Sequence, residues 1–289
     1  MSIANALAGS ETPGFVVVNG VRLAYTSMGE TGEALVLVHG SWGSRHNWDR
    51  VIPGLAENHR VVVYDRRGHS ESDRLPGQGS FTEDVADLVA LIEHLALAPA
   101  WVVGNSAGAA ITLQLASARP DILRGIVVHE PPLWSLLREG SVEAAAVAAL
   151  RNGPLAEVAG RIDSGDHAGA AELFVDEVAF GPGTWAELSE SMRQTMIHNA
   201  PTFLDESRDP EASAIDEVAL ARYYGPVMLT SGDHSPPLFG QVIDRLAELL
   251  PHAVRRTYAG AGHIPHVTHP EQYLAGLFAF IHARTGAWS

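Results

Sequence analysis

The chain has 289 residues and no cysteine, which excludes disulfides, thiolate metal sites and cysteine nucleophiles. Its 19 basic and 34 acidic side chains give a formal net charge of −15, which disfavours nucleic acid and anionic membranes as partners. The hydrophobic fraction of 46% is typical of a globular protein. No run approaches the roughly 20 apolar residues of a membrane span, and the chain has no secretory signal pattern, so we expect a cytoplasmic location.

Short apolar, largely β-branched runs alternate along the chain with helical patterns. The first two runs flank Asn19-Gly20, a pair of residues typical of a β-hairpin turn. The later runs are continuously apolar, which favours a mostly parallel sheet covered on both faces by helices. This alternation predicts an α/β fold. The predicted strands are residues 15–18, 21–25, 35–38, 61–64, 101–103, 126–128, 227–230 and 254–258.

The alternation stops between residues 131 and 224. This stretch is rich in alanine, glutamate and leucine and has no convincing strand pattern, so it predicts several helices. We interpret it as a helical cap inserted into one α/β core. On this interpretation the core consists of residues 1–130 and residues 225–289.

The segment Gly104-Asn105-Ser106-Ala107-Gly108 follows a predicted strand and precedes a predicted helix. A serine in G-x-S-x-G at such a turn is typical of a nucleophile elbow. The N–H of Ala107 would lie in the first helical turn, where donors are unpaired and anions are favoured. The pattern predicts Ser106 as a nucleophile and Ala107 as an oxyanion donor, and it requires a base elsewhere, because a serine hydroxyl is a weak nucleophile.

Two further segments lie just after predicted strands. The sequence His39-Gly40-Ser41-Trp42 follows the third strand, and the loop that it forms can offer the N–H of Ser41 or of Trp42 as a second oxyanion donor. His263, in a G-H-x-P segment, follows the last strand. Among the fourteen histidines of the chain, this position makes His263 the preferred base.

Together these motifs resemble the α/β-hydrolase superfamily. They are H-G at His39-Gly40, D-x-R-G-x-x-x-S from Asp65, the elbow around Ser106 and G-H at His263, in the order that the family has. The resemblance implies a mostly parallel eight-stranded sheet with a helical cap. It also implies that Ser106 is the nucleophile and that His263 acts first as general base and then as general acid.

The acid that orients the histidine is left open between Glu130 and Asp233. Most of the superfamily has G-x-x-D after the seventh strand, but here Gly232 is followed by Ser235 at the aspartate position, and Asp233 stands two residues early. Zearalenone lactonases have a glutamate after the sixth strand, and the E-P-P sequence that begins at Glu130 resembles that arrangement. We favour Glu130 and keep Asp233 as the alternative.

These residues predict a serine hydrolase that cleaves a carboxylic ester or lactone of an apolar or aromatic small molecule, without a metal or an organic cofactor. Trp42 and Trp134 adjoin the predicted catalytic loops, so we expect them to contact the substrate. The same serine triad also serves C–C bond hydrolases and cofactor-free perhydrolases. A ligand-sensing receptor with little turnover is an alternative of another class. The oligomeric state stays open, with a homodimer among the options.

Overall fold

The computed structural model describes residues 11–285 and contains one eight-stranded sheet. The strands are β1 (Thr12–Val18), β2 (Val21–Met28), β3 (Glu33–Val38), β4 (His59–Tyr64), β5 (Ala100–Asn105), β6 (Leu123–His129), β7 (Val227–Gly232) and β8 (Val254–Tyr258). Their order across the sheet is β1-β2-β4-β3-β5-β6-β7-β8. The pairs β1–β2 and β2–β4 are antiparallel, and the remaining pairs are parallel. The predicted fold class is therefore confirmed.

Helices connect the strands and cover the sheet. The α-helices are α1 (Ile52–Ala56), α2 (Phe81–His94), α3 (Ala107–Ala118), α4 (Val142–Leu150), α5 (Ala156–Asp163), α6 (His167–Phe174), α7 (Thr184–Glu187), α8 (Glu190–Arg208), α9 (Glu217–Leu220), α10 (Pro237–Leu249), α11 (Pro265–Thr268) and α12 (Pro270–Thr285). Segments of 3₁₀ helix cover Arg45–Trp48, Pro120–Ile122 and Trp134–Leu136, and π-helical segments cover Arg151–Leu155 and Val175–Ala179.

The sheet separates two apolar layers, because successive side chains of a strand point to opposite faces. On β3, Val36 and Val38 belong to the layer that α2, α3 and α10 cover. Leu35 and Leu37 belong to the opposite layer, which α1 and α12 cover. Burial on both faces explains why the central strands are continuously apolar.

The stretch from residue 131 to residue 224, which we call the cap segment, contains α4 to α9 and, in its described residues, no strand. It has an apolar cluster of its own, built on Val158, Ile162, Val175 and Phe203. Trp42, from the loop after β3, completes that cluster. The core contributes a side chain to the interior of the cap segment in this way.

Within residues 11–285, none of the helices combines the length and the apolar character that crossing a bilayer would require.

Candidate active site

Ser106 alone forms the turn between β5 and α3. Its backbone has φ 54° and ψ −121°, a left-handed conformation that costs a non-glycine residue about 1–3 kcal/mol. The N–H of Ser106 donates to the carbonyl of His129 at 2.8 Å, and this bond ties the turn to the end of β6. The strained turn lifts the serine side chain above the sheet edge, into the cavity described below.

The glycines on either side of Ser106 are required by close backbone contacts. A Cβ on Gly104 would lie 2.3 Å from the carbonyl oxygen of Gly108, and a Cβ on Gly108 would lie 2.2 Å from that of Val38. Gly40, in the loop after β3, faces the serine, and an added Cβ on Gly40 would lie 3.0 Å from the Cβ of Ser106. These contacts explain why the elbow and the loop after β3 need glycine.

His263 is hydrogen bonded to Glu130. Its Nδ1 lies 2.6 Å from Oε2 of the carboxylate, a distance typical of a charge-assisted hydrogen bond. The side chains are 4% and 0% exposed, so water does not screen the pair. The carbonyl of His263 accepts a hydrogen bond from the side-chain amide of Asn105 at 3.0 Å, and the ring of Phe239 stacks on the imidazole at 4.3 Å.

The carboxylate of Glu130 is held by the ends of two neighbouring strands. Glu130 has φ 48°, and its Oε1 accepts the N–H of Gly232, at the end of β7, at 2.8 Å. Burial alone would raise the pKa of Glu130, but the hydrogen bond to His263, the charges of His129 and His263, and the N–H of Gly232 lower that pKa to about 2. The group is therefore a carboxylate at neutral pH.

Asp233, the alternative acid, has a different partner. Its Oδ1 accepts the N–H of Gly260 at 2.7 Å, and its side chain is 46% exposed. The structure thus brings Glu130, and not Asp233, to the ring nitrogen of His263. Asp233 instead joins the loops that follow β7 and β8.

His129 is a third buried group beside this pair. Its Nδ1 is hydrogen bonded to the hydroxyl of Thr230 at 2.9 Å, and that hydroxyl lies 3.0 Å from the carbonyl of Val128. Its Nε2 lies 3.5 Å from Oε2 of Glu130. Burial, opposed by the charge of Glu130, lowers the pKa of His129 to about 4, so the ring is neutral at neutral pH.

In the described part of the chain, one cluster of side chains could offer three ligands to a metal ion. It consists of His129, Glu130 and His263, whose ligand atoms lie within 4.8 Å of one another. The contact between Nδ1 of His263 and Oε2 of Glu130 is 2.6 Å. Two ligands on a tetrahedral zinc ion, with bonds of about 2.0–2.1 Å, would be roughly 3.4 Å apart. We therefore assign the cluster as a hydrogen-bonded acid–base group.

The cavity above Ser106 has a volume of about 610 Å³. Ser41, Ser106, Ala107 and His263 lie on its wall. The rest of the wall is mostly apolar and comes largely from the cap segment, with Phe239 added by α10; the cap-segment side chains include Trp134, Leu155, Phe174, Val178 and Phe203. A cleft of this size and lining suits an apolar small molecule.

The two tryptophans that the sequence suggests as substrate contacts lie in different places. Trp134 is part of the cavity wall, beside Phe239 at 5.3 Å between ring centroids. Trp42 is fully buried behind the wall, 5.0 Å from the ring of Phe174 and 5.2 Å from that of Phe203. Its backbone has φ 64°, which turns the side chain towards the cap segment. We therefore correct the expectation for Trp42, which supports the wall from behind.

Two residues on the wall have no signal in the sequence. Phe239, the ring stacked on His263, lies in an ordinary amphipathic helix. Glu206, in α8, lies in the wall next to Ser41 but belongs to no motif. Only long-range packing brings either residue to the site.

The chain belongs to the α/β-hydrolase family, because the family model for the alpha/beta hydrolase fold matches residues 33–270. A stretch of 93 residues is 40% identical to the dihydrolipoyllysine-residue acetyltransferase component of the acetoin cleaving system of Pseudomonas putida. That match covers 32% of this chain and 25% of the relative, so the chain spans about a quarter of that protein's length.

Two other proteins are similar over most of the chain. The sn-1-specific diacylglycerol lipase ABHD11 of Mus musculus is 25% identical over 257 residues, which are 86% of this chain and 80% of that protein. The solved structure of Est816, described as an N-acyl homoserine lactone degrading enzyme, is 23% identical with a TM-score of 0.72. It covers 92% of this chain and all of its own, and at this identity the likeness is one of fold.

Proposed function

We propose that the protein is a serine hydrolase that cleaves a carboxylic ester or a lactone of an apolar or aromatic small molecule through an acyl-enzyme. The observation that carries this proposal is the buried hydrogen bond of 2.6 Å between Glu130 and His263, since His263 lies on the wall of the cavity that also contains Ser106. A neutral imidazole with Nδ1–H bonded to a carboxylate presents the lone pair of Nε2 to a serine.

The proposed reaction has two acyl-transfer steps. His263 takes the proton of Ser106 as the serine oxygen attacks the substrate carbonyl, and Glu130 stabilises the resulting imidazolium. The N–H groups of Ala107 and Ser41 hold the tetrahedral oxyanion. The imidazolium then protonates the leaving alcohol, and a water molecule repeats the sequence to release the acid. In a lactone, the leaving alcohol stays attached to the acyl group.

The assignment of Ser41 as the second oxyanion donor, rather than Trp42, rests on the cavity. Ser41 lies on the wall together with Ser106 and Ala107, whereas the side chain of Trp42 lies behind the wall. The N–H of Ala107 opens α3, so no residue of its own helix can accept from it. Two such donors, one from each loop, suit a single developing negative charge.

A panel of substrates tests the proposal. We would measure turnover of p-nitrophenyl esters with short and long acyl chains and of aliphatic and aromatic lactones, with product identification by mass spectrometry. One similar protein is named a lipase and another a lactone-degrading enzyme, so the panel contains both bond types. We expect an initial burst of p-nitrophenol on those esters whose acyl-enzyme is hydrolysed more slowly than it forms.

Ser106→Ala is the matched control, because it removes one oxygen and leaves the cavity otherwise intact. Burst and turnover should both disappear in this variant. Turnover that persists in Ser106→Ala would contradict the proposal. Tight binding of panel compounds without any turnover by the wild-type protein would favour a ligand receptor instead.

A further inference from the structure

Glu206 is a buried carboxylate in the cavity wall for which the reaction above has no use. It lies near the end of α8, in the cap segment, and its side chain is 9% exposed. A carboxylate is almost never buried to this degree unless it is paired or hydrogen bonded. Its partners therefore indicate what it does.

Both oxygens of Glu206 bind residues of the core. The hydroxyl of Ser41 donates to Oε2 at 2.5 Å, and Nη1 of Arg66 donates to Oε1 at 2.9 Å. Ser41 is the residue whose backbone N–H we assign to the oxyanion. The side chain of that residue is thus anchored to the cap segment, although its backbone belongs to the core.

Arg66 extends the same network to the other side of the loop after β3. Its guanidinium is 1% exposed and binds both oxygens of Asp84, at 3.1 and 2.8 Å. Its backbone N–H donates to Nε2 of His39 at 3.0 Å, and Nδ1 of His39 donates to the carbonyl of Gly40 at 2.8 Å. Gly40 and Ser41 are therefore held from two directions by one buried cluster.

The charges of the cluster explain why the hydroxyl of Ser41 is needed. One guanidinium, that of Arg66, faces two carboxylates, those of Asp84 and Glu206. Burial raises the pKa of Glu206, and the charge of Arg66 and the hydrogen bond from Ser41 oppose that rise. A hydrogen bond to a buried ion is among the stronger ones, so the hydroxyl of Ser41 has a strong preference for this orientation.

We propose that Glu206 is a positioning residue, which fixes the loop after β3 through the side chain of Ser41 so that the N–H of Ser41 points at the developing oxyanion. The inference rests on the proposed function. It makes a residue of the cap segment a determinant of the chemical step in the core. A shift of about 1 Å in such a group can cost up to a hundredfold in rate.

Kinetics with p-nitrophenyl butyrate test this role. We expect Glu206→Ala and Ser41→Ala each to lower kcat by roughly ten- to hundredfold, with KM within about twofold, since an oxyanion donor acts mainly in the transition state. The double variant should lose no more than either single variant, because both remove the same hydrogen bond. In Glu206→Gln the amide oxygen can accept from Arg66 while the amide NH2 donates to the hydroxyl oxygen of Ser41, which keeps a hydrogen bond between the two side chains, so this variant should recover most of kcat.

A transition-state analogue provides a second measurement. An aliphatic trifluoromethyl ketone adds to the nucleophilic serine, and its oxygen then occupies the oxyanion position. Its inhibition constant should rise in Glu206→Ala by about the same factor as kcat/KM falls. A loss of stability alone would not change the inhibition constant and kcat/KM by the same factor. Thermal melting of each variant shows whether it is folded.

Arg74→Ala is the matched control. The guanidinium of Arg74 also ties the core to α8, through the carbonyl of Pro201 and the carboxylate of Asp205, but it does not contact Ser41. This variant should keep the kcat of the wild-type protein. The inference is overturned if Glu206→Ala keeps a wild-type kcat, or if its effect multiplies with that of Ser41→Ala. Retention of activity by Ser106→Ala would instead overturn the proposed function, so the two failures are distinguishable.

Discussion

The two sides of the site are built from different parts of the chain. On the acid–base side, Glu130 and His263 follow core strands and Gly232 ends β7, and their hydrogen bonds to one another involve no residue of the cap segment. On the oxyanion side, Ser41 is anchored to Glu206, which belongs to the cap segment. The cavity wall between the two sides also comes largely from the cap segment.

This difference separates what the core can do alone from what needs the cap segment. The core supplies the hydrogen bonds that orient His263, and the cap segment adds only a ring contact from Phe180 at 5.9 Å. The cap segment adds most of the cavity wall and, through Glu206, one anchor of the loop after β3, to which we assign the second oxyanion donor. Changes on the acid–base side should therefore affect proton transfer, while changes in the cap segment should affect binding and the stabilisation of the oxyanion.

The largest expected effect concerns the acid. Glu130→Gln should lower kcat by about ten-thousandfold, because a neutral amide cannot stabilise the imidazolium and favours the wrong tautomer of His263. Asp233→Asn, the matched control, removes one charge from an exposed carboxylate that contacts Gly260, and should change kcat by no more than about twofold. Steady-state kinetics on the best ester of the panel provide the measurement. If Asp233→Asn lowers kcat more than Glu130→Gln does, the acid of the triad is Asp233, in the loop after β7.

The next prediction separates the two tryptophans. Trp42→Ala should lower the free energy of unfolding by about 3–5 kcal/mol, since it opens a large hole between Phe174 and Phe203. Trp134→Ala should instead raise KM for an aromatic ester by roughly two- to tenfold, the equivalent of one aromatic contact of about 0.5–1.5 kcal/mol. Chemical denaturation and kinetics on both variants distinguish the roles. If the Trp42→Ala protein is as stable as the wild type but has a raised KM, Trp42 contacts the substrate.

Alanine substitutions at two glycines, one in the core and one in the cap segment, compare how tightly the two regions are packed. Gly108→Ala places a Cβ 2.2 Å from the carbonyl oxygen of Val38, a backbone atom, so we expect a loss of about 3 kcal/mol in unfolding free energy. Gly160→Ala, in α5, meets no atom within 4 Å and should raise stability by about 0.5–1 kcal/mol. Urea denaturation curves give both values. Equal effects would mean that the elbow is less tightly packed than the distances indicate.

The smallest expected effect is a pH dependence of stability. The pKa of Glu130 is about 2 in the folded protein against 4.5 for the free side chain, so the unfolded chain binds the proton first as the pH falls. The stability that the ionised group contributes is complete above about pH 4.5 and is lost as the pH falls towards 2. Between pH 5 and 2.5 the wild-type protein should lose about 2 kcal/mol more than Glu130→Gln. Denaturation at several pH values measures this difference, and parallel curves for the two proteins would contradict the assigned pKa.

The sheet could be predicted from sequence because each strand is a local pattern. Apolar runs bounded by turns identify the eight strands, and the carboxyl ends of the parallel strands β3 to β8 meet at one edge. The elbow around Ser106 and the loop of His263 belong to that edge for the same reason. The choice between Glu130 and Asp233, in contrast, depends on where two neighbouring side chains point, which residue spacing alone does not decide.

The contributions of the cap segment could not be predicted in this way. Glu206 meets Arg66 across 140 residues of sequence, and no short pattern marks either partner for the other. The position of Trp42 beside a catalytic loop suggests a substrate contact, yet a left-handed backbone at that residue turns its ring into the cap segment. Local sequence identifies residues near the chemistry, whereas the direction of each side chain is decided by tertiary packing.

The carboxylate of Glu130 reaches the histidine from the end of β6, so in the proposed mechanism no side chain of the turn after β7 takes part in the chemistry. The side chains of Asp233 and His234 face outwards there, immediately before the helix that presents Phe239 to the cavity. The same turn is bonded to the loop that leads to His263, because Asp233 accepts the N–H of Gly260 and the N–H of His234 donates to the carbonyl of Ala261. Its exposed side chains can therefore be exchanged, whereas an inserted loop would disturb the position of His263. On the proposed mechanism, substitutions confined to the exposed side chains of this turn would change the entrance to α10 and leave the pair of Glu130 and His263 as it is.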